Sequence, residues 1–375
     1  MSIIIGADIV PTKSNQRQFI EGKIDEIIDH ELSKILSDSD YRIINLETPL
    51  CIEGEPIKKC GPNFANDPRS ISVLNKMHID LVTLANNHIM DQGNMGLANT
   101  IAALQNAGIS YVGAGKNIID ASKPFFFTVH GVQYGVYACA EHEFSIAEET
   151  KPGANPFEPL ESYDHIISMK KQCEYAIVLF HGGKEYYRYP SPTLQKNCRK
   201  FVEKGANLVI CQHSHCIGCK EEYLNGTIIY GQGNFIFDGK NDEFWNSSML
   251  ICINDELDIQ YIPILKKQGH VSLASNQDRK NIMDCFLQRS EEIKSNQRIK
   301  EKYSSYCREN IDDYIIHIIG IEKNLIYKII NKLTKQKLKK LLAQRYICRN
   351  GLYLRNCIEC EAHRELLLHA LREKQ

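Results

Sequence analysis

The chain has 375 residues, 43% of them hydrophobic and 24% charged, with a formal net charge of −1 at pH 7. That length and composition predict a globular protein with a large core, longer than one average domain. A nearly neutral total gives nucleic acid no electrostatic footing as a main partner, and no apolar run is long enough to span a bilayer.

The chain opens Met-Ser-Ile-Ile-Ile-Gly-Ala-Asp, with no basic lead and too short an apolar stretch for an export signal, so a cytoplasmic location is expected. The 14 cysteines are then expected as reduced thiols, with Cys139, Cys211 and Cys252 as packing residues inside apolar runs. Short apolar runs predict strands over 3–7, 42–45, 81–84, 132–138, 175–180, 207–211, 227–230 and 249–253. Helical patterns cover 24–36, 70–77, 96–106, 161–171 and 192–204, the last opening on Pro192, where a missing N–H does no harm. The later strands follow one another without helices, which predicts a mixed sheet in an α/β fold. Beyond residue 276 the pattern is helical and free of proline. A boundary between 267 and 276 divides the chain into a domain at 1–270 and a helical C-terminal region at 271–375.

Six residues with metal-binding side chains fall at predicted strand ends: Asp8, Glu47, Asn87, His181, His213 and His215. Strand ends on one edge of a sheet converge in space, however far apart they lie along the chain. Two carboxylates, an amide oxygen and three imidazoles suit one or two borderline divalent ions such as Mn, Fe or Zn. Singly, several have plainer readings: Asp8 as a cap, Glu47 as an exposed strand-end acid, His181 as a structural residue. As a ligand, Glu47 could bridge two ions. His213 and His215 carry the most weight, because alternate residues of an extended segment point to one side. The adjacent Cys216-x-x-Cys219 has zinc-knuckle spacing, but no second ligand pair lies near it in sequence.

In the strand-to-helix turn 84–93, His88 is placed as a general acid or oxyanion donor, and Asp91 as the carboxylate that fixes its tautomer. The plainer alternative is an Asx turn with a surface histidine. Glu185, after Gly182 and Gly183, is a candidate to face substrate. Asn234, within Tyr-Gly-Gln-Gly-Asn-Phe, is another, set against a simple tight turn.

With these motifs in place, the chain resembles the CapA-type capsule and poly-γ-glutamate synthesis proteins, a branch of the calcineurin-like metallophosphoesterase superfamily. The resemblance is carried by Gly6-Ala-Asp8, Asn45-Leu-Glu-Thr-Pro49, the run 84–91 with Gly93, and the run 107–115. His181-Gly-Gly-Lys-Glu185, Gln212-His-Ser-His215 and Tyr230-Gly-Gln-Gly-Asn-Phe235 continue it in the family's order, over residues 1–265. It implies a four-layer α/β/β/α metallophosphoesterase-like sandwich with a metal cluster at one edge and a C-terminal helical appendage outside the match. It further implies Glu47 as the bridging ligand, with Asn87, His181 and His213 on one metal and Asp8 and His215 on the other. His88 would be the catalytic histidine, and the reaction an attack by metal-bound hydroxide. Two departures stand out: Ile9 and Val10 follow Asp8 where the common phosphoesterase pattern is Asp-x-His, and Glu47 replaces an aspartate.

The expected function is a metal-dependent hydrolase in capsule, poly-γ-glutamate or other surface-polymer biosynthesis, with a polymer or its precursor as partner. The alternative is a non-catalytic accessory or scaffold subunit of a polymer synthesis or export complex. Residues 323–345 carry seven lysines and one arginine, with Leu325, Ile326, Ile329, Ile330 and Leu333 at helical spacing. That stripe is expected to pack on the core with its lysines in water; peripheral contact with a membrane is the alternative. Cys357, Cys360 and His363 have ligand-like spacing, although on a helix they read more simply as packing residues.

Overall fold

The computed structural model describes residues 2–239, 242–254 and 256–374. One sheet holds β1 (Ser2–Ile9), β2 (Tyr41–Leu46), β3 (Leu81–Thr83) and β4 (Ser110–Val112), joined by four strands from later in the chain. These are β13 (Asn234–Ile236), β14 (Ser247–Asn254), β15 (Ile259–Lys267) and β16 (His270–Leu273), and the order is β16-β15-β14-β1-β2-β3-β4 with β13 also on β1. β1 to β4 run parallel and β14 to β16 antiparallel, so the sheet is mixed, as the helix-free spacing of the later strands predicts. β5 (Ala114–Gly115) and β8 (Gly153–Ala154) form a small separate pair beside α5 (Ile118–Ala121). The second sheet runs β11 (Lys220–Tyr223), β12 (Gly226–Tyr230), β10 (Leu208–Gln212), β9 (Tyr175–His181), β7 (Val132–Ala140), β6 (Phe125–Val129).

Three apolar layers separate four layers of secondary structure. Ile4, Ile44 and Val82 pack against Phe19, Leu32, Val73 and Leu97 of α1 (Gln16–Glu21), α2 (His30–Asp38), α3 (Ile71–Lys76) and α4 (Gly93–Asn106). The neighbouring residues Ile3, Ile5, Ile43 and Leu81 point the other way, onto Val136, Ile177, Leu179 and Ile210 of the second sheet. The far face of that sheet, with Val178, Phe180 and Val209, meets Ile166, Leu194 and Phe201 of α6 (Pro159–Lys170) and α7 (Pro192–Glu203). Period-two alternation with both faces buried explains why these strands read as continuous apolar runs. Each fully buried Ile, Leu or Phe contributes about 1.5–3 kcal/mol. The architecture is the α/β/β/α sandwich that the resemblance implies.

One expected helix is shorter than its pattern. Over 24–36 the chain makes a single 3-10 turn at Ile24–Glu26 and then restarts as α2. Asp29 causes the break: its side chain caps α2 by accepting from the Leu32 N–H at 2.7 Å and accepts from the Leu273 N–H at 3.0 Å.

By contacts the chain divides into two compact units, Met1–Ile299 and Lys300–Gln375. That division lies beyond the change of sequence character near residue 270. α8 (Glu243–Asn246) and α9 (Asn276–Glu292) both belong to the first unit, and Phe286 of α9 is buried in the layer between the sheets. The second unit holds most of α10 (Asn296–Ile319), with α11 (Leu325–Leu333), α12 (Lys337–Glu359) and α13 (Glu361–Glu373). No described helix is long and apolar enough to cross a membrane.

The stripe on α11 is not packed as expected. Leu325, Ile326, Ile329, Ile330 and Leu333 are between 42% and 77% exposed. The half-buried Asn331 and Thr334 face the next helix instead: Asn331 Oδ1 accepts from the Lys339 N–H at 3.0 Å, and the Thr334 hydroxyl accepts from the Leu338 N–H at 3.3 Å. Those hydrogen bonds fix the α11–α12 connection with the apolar arc facing out.

β13 pairs in parallel with the end of β1, and a glycine lets Phe235 pack close to β1. A Cβ on Gly6 would stand 2.8 Å from Phe235 and 3.1 Å from Ile44. Gly6→Ala is expected to lower the unfolding free energy in urea by about 1–3 kcal/mol. Unchanged stability would mean that the packing there has slack.

Candidate metal centre

Both sheets deliver their carboxyl ends to one place. Asp8 is the penultimate residue of β1, paired with Asn45 of β2 on one side and Asn234 of β13 on the other. Glu47 follows β2 directly, His181 ends β9, and Asn87 and His88 follow β3. His213 and His215 come just past β10, whose Gln212 pairs with His181. They do not occupy an extended segment, as strand alternation predicts, but left-handed backbone at φ 89° and 55°. Such a conformation costs a non-glycine residue of order 1–3 kcal/mol and is held where the surroundings over-determine it. The rings converge because the chain turns, not because it alternates.

The six expected ligands are brought together. Ligand atoms of Glu47, His181 and His213 all lie within 4.8 Å of one another, and so do those of Asp8, Glu47 and His215. Glu47 belongs to both groups. His181 Nε2 lies 3.2 Å from Glu47 Oε1, 3.2 Å from His213 Nδ1 and 3.0 Å from Asn87 Oδ1, which sets the Asn87 amide oxygen beside the first group. His215 Nδ1 lies 3.9 Å from Asp8 Oδ2 and 2.8 Å from Asn234 Oδ1. Asn234, expected near substrate, is fully buried and orients His215 through that contact. Glu185 is only half-buried and stands outside both groups, although its charge is felt at Glu47.

The donor set fits divalent cations. Asp8 Oδ2 and both oxygens of Glu47 are buried without a hydrogen-bond partner, an expensive state for carboxylates in a dry site. Burial pushes the Glu47 carboxyl up to about 8 and the Asp8 carboxyl up to about 6, the latter helped by Glu47 itself. Burial also drives the His181 imidazole down to about 4 and His213 well below its ordinary value. Neutral imidazoles beside orphaned carboxylate oxygens are a ligand set. Among the described residues no comparable group forms at Cys216 and Cys219, or at Cys357, Cys360 and His363. Burial pushes the Cys216 thiol up to about 11, which keeps it protonated.

His88 stands beside the ligands in the arrangement its motif predicts. Its Nδ1 meets Asp91 Oδ2 at 2.6 Å, and Asp91 is fully buried. The structure adds partners that the sequence does not announce. Lys59 forms a buried ion pair with Asp91 and lies 3.1 Å from His88 Nδ1. The Phe64 ring stacks on His88 at 4.1 Å, and its N–H donates to Asp91 Oδ2 at 2.7 Å. Asn45 donates from Nδ2 to Asp8 Oδ1 at 2.7 Å and lies 3.2 Å from His181 Nδ1. It sits two residues before Glu47, so strand alternation could have signalled it. Glu143 approaches from the loop after β7, 3.3 Å from Asn87 Nδ2. Where an Asp-x-His pattern would supply an imidazole, Val10 packs with Phe237 and Trp245, and Trp245 stacks on His215 at 4.8 Å.

A family model described as bacterial capsule synthesis protein PGA_cap matches residues 3–239, which takes in every one of these ligands. The chain belongs to this family. Among PGA_cap relatives, it is 30% identical over 216 residues to the capsule biosynthesis protein CapA of Bacillus anthracis, covering 55% of this chain and 53% of that one. It is also 30% identical over 210 residues to the PGA biosynthesis protein CapA of Bacillus subtilis, covering 54% and 55%. The chain thus spans about half the length of the curated relatives it matches. A solved phosphatase of Mycoplasma pneumoniae aligns with 75% of this chain and 98% of its own at 13% identity and a TM-score of 0.46.

The buried carboxylates make the PGA_cap site sensitive to pH. Glu47 holds its proton up to about 8 in the fold against 4.5 ordinarily, so the fold binds more protons than the unfolded chain in that window. Stability without metal therefore falls as pH rises through it. His181, depressed to about 4, works the other way only below its ordinary 6.5. Lys266, driven by burial to about 7, opposes Glu47 above that pH, so the comparison needs a control chain. Metal-free wild type should lose stability relative to Glu47→Gln between pH 6.5 and 8 by on the order of 2 kcal/mol in denaturant titrations. A difference that does not change with pH would mean that Glu47 is solvated.

Proposed function

We propose that the chain is a metal-dependent hydrolase serving the biosynthesis of a capsule, poly-γ-glutamate or another surface polymer. Glu47 carries the reading: it is buried, both its oxygens lack partners, and it is common to two donor groups. Glu47, His181 and His213, with Asn87, would hold one divalent ion, and Asp8, Glu47 and His215 another; Mn, Fe or Zn suits that set. Ions held there supply activation of water and stabilisation of charge on an electrophile. The other tasks belong to the chain's own side chains. His88 is a proton donor to a leaving group or a hydrogen-bond donor to developing negative charge. Asp91 fixes its tautomer through Nδ1, and the Lys59 ammonium balances the Asp91 charge. Phe64, Phe237 and Trp245 form an apolar wall beside His88 and His215 that keeps water from one side of the site. A phosphoester or amide in the polymer or its precursor is the proposed substrate, and the names of the Bacillus relatives support the polymer biology.

One observation favours a non-catalytic accessory subunit: Val10 and its aromatic neighbours stand where a further imidazole would complete the second ion's ligands. His88→Ala separates the two readings. The hydrolase reading expects unchanged metal content and a kcat reduced about 10²–10⁴-fold in a phosphoester and amide screen. Metal measured by mass spectrometry should fall in the His213→Ala/His215→Ala chain. Wild type that takes up no Mn, Fe or Zn on reconstitution would sink the hydrolase reading. Metal uptake without turnover on any substrate, and function in cells unaltered by His88→Ala, would leave the accessory role.

A further inference from the structure

We propose that α11 and its connection to α12 dock on an anionic membrane surface. The inference rests on the second unit alone and stands whether or not the metal centre is catalytic. Leu325, Ile326, Ile329, Ile330 and Leu333 lie at the i, i+1, i+4, i+5 and i+8 positions of one helix, which gathers them on a single face. All five are exposed, and Leu341 on α12 adds a sixth exposed apolar side chain. Polar groups tie the end of α11 to the start of α12: Asn331 accepts from the Lys339 N–H at 3.0 Å, and the Thr334 hydroxyl accepts from the Leu338 N–H at 3.3 Å. Those bonds hold the apolar face outward.

Charge selects the occupant. Residues 323–345 carry seven lysines and one arginine and no Asp or Glu, in a chain whose total is −1. Lys328 and Lys332 are exposed and flank the stripe on the Leu325 side, where long side chains can reach headgroups while the stripe enters the acyl boundary. A second copy of the chain would lay eight like charges against eight more, which opposes self-association through this face. A neutral bilayer would meet the apolar arc without compensating the lysines. A surface of anionic lipid satisfies both features.

The test is flotation of the full chain with phosphatidylcholine vesicles, with and without phosphatidylglycerol, at low and high salt. The expected result is flotation with the anionic vesicles only, weakened by salt. Each of Lys328→Gln and Lys332→Gln should reduce partitioning about fivefold, and Ile326→Ser/Ile329→Ser should reduce it at least about tenfold. These positions are exposed, so circular dichroism should show all variants as helical as wild type. Folded wild type that stays off anionic vesicles would overturn the proposal. So would flotation that none of the three variants weakens, since the contact would then lie elsewhere. Self-association by light scattering that the isoleucine variant abolishes, without vesicle binding, would identify a second copy as the occupant instead.

Discussion

A glutamate carboxylate taken out of water with nothing to bond to is the constraint on which the rest of this structure depends. Glu47 is held at the meeting edge of two sheets, and neither oxygen finds a donor. Left alone, it keeps its proton up to about pH 8 and Asp8 only up to about 6, while His181 and His213 beside it are held neutral by burial. Protons and divalent cations therefore compete for the same atoms. Metal affinity should rise with pH for the same reason that stability without metal falls. The site is poised for cations because the fold leaves Asp8 Oδ2 and both Glu47 oxygens without a hydrogen-bond donor.

Holding such a site takes a scaffold that will not collapse around it. The layer between the sheets is built of Ile, Leu and Val from both, and it fixes the distance between the β1–β2 edge and the β9–β10 edge. Against that frame the local strain is tolerable: two histidines in left-handed backbone, and a bare Gly6 where Phe235 of β13 packs close. Amides do the fine positioning. Asn45 ties Asp8 to the neighbourhood of His181, and Asn234 holds His215, so residues from both sheets share one hydrogen-bonded set.

The second unit follows a different logic. Its apolar face is turned outward and its cations are concentrated in one stretch, although the whole chain is nearly neutral. On the two readings proposed above, the first unit supplies chemistry at a strained polar edge and the second supplies location through an amphipathic helix.

Strand positions and the residues that gather at the sheet edges were legible in the sequence, because both depend on local pattern. Alternation with both faces buried leaves apolar runs such as Ile3–Ile4–Ile5, and residues just past such runs must gather at a sheet edge. Asp8, Glu47, His181 and the histidine pair were found that way, and His88 with Asp91 from one turn. What the tertiary structure decided is what sequence spacing cannot encode. Lys59 and Phe64 reach His88 from a loop with no periodicity. Left-handed backbone, not strand alternation, aims His213 and His215. Asp29 breaks a helix because a residue some 240 positions later, Leu273, needs its carboxylate. The α11 stripe has the pattern of a packed helix, and only the hydrogen bonds of Asn331 and Thr334 decide that it faces out. Pattern fixes which faces are apolar; the competition among long-range partners fixes where those faces point.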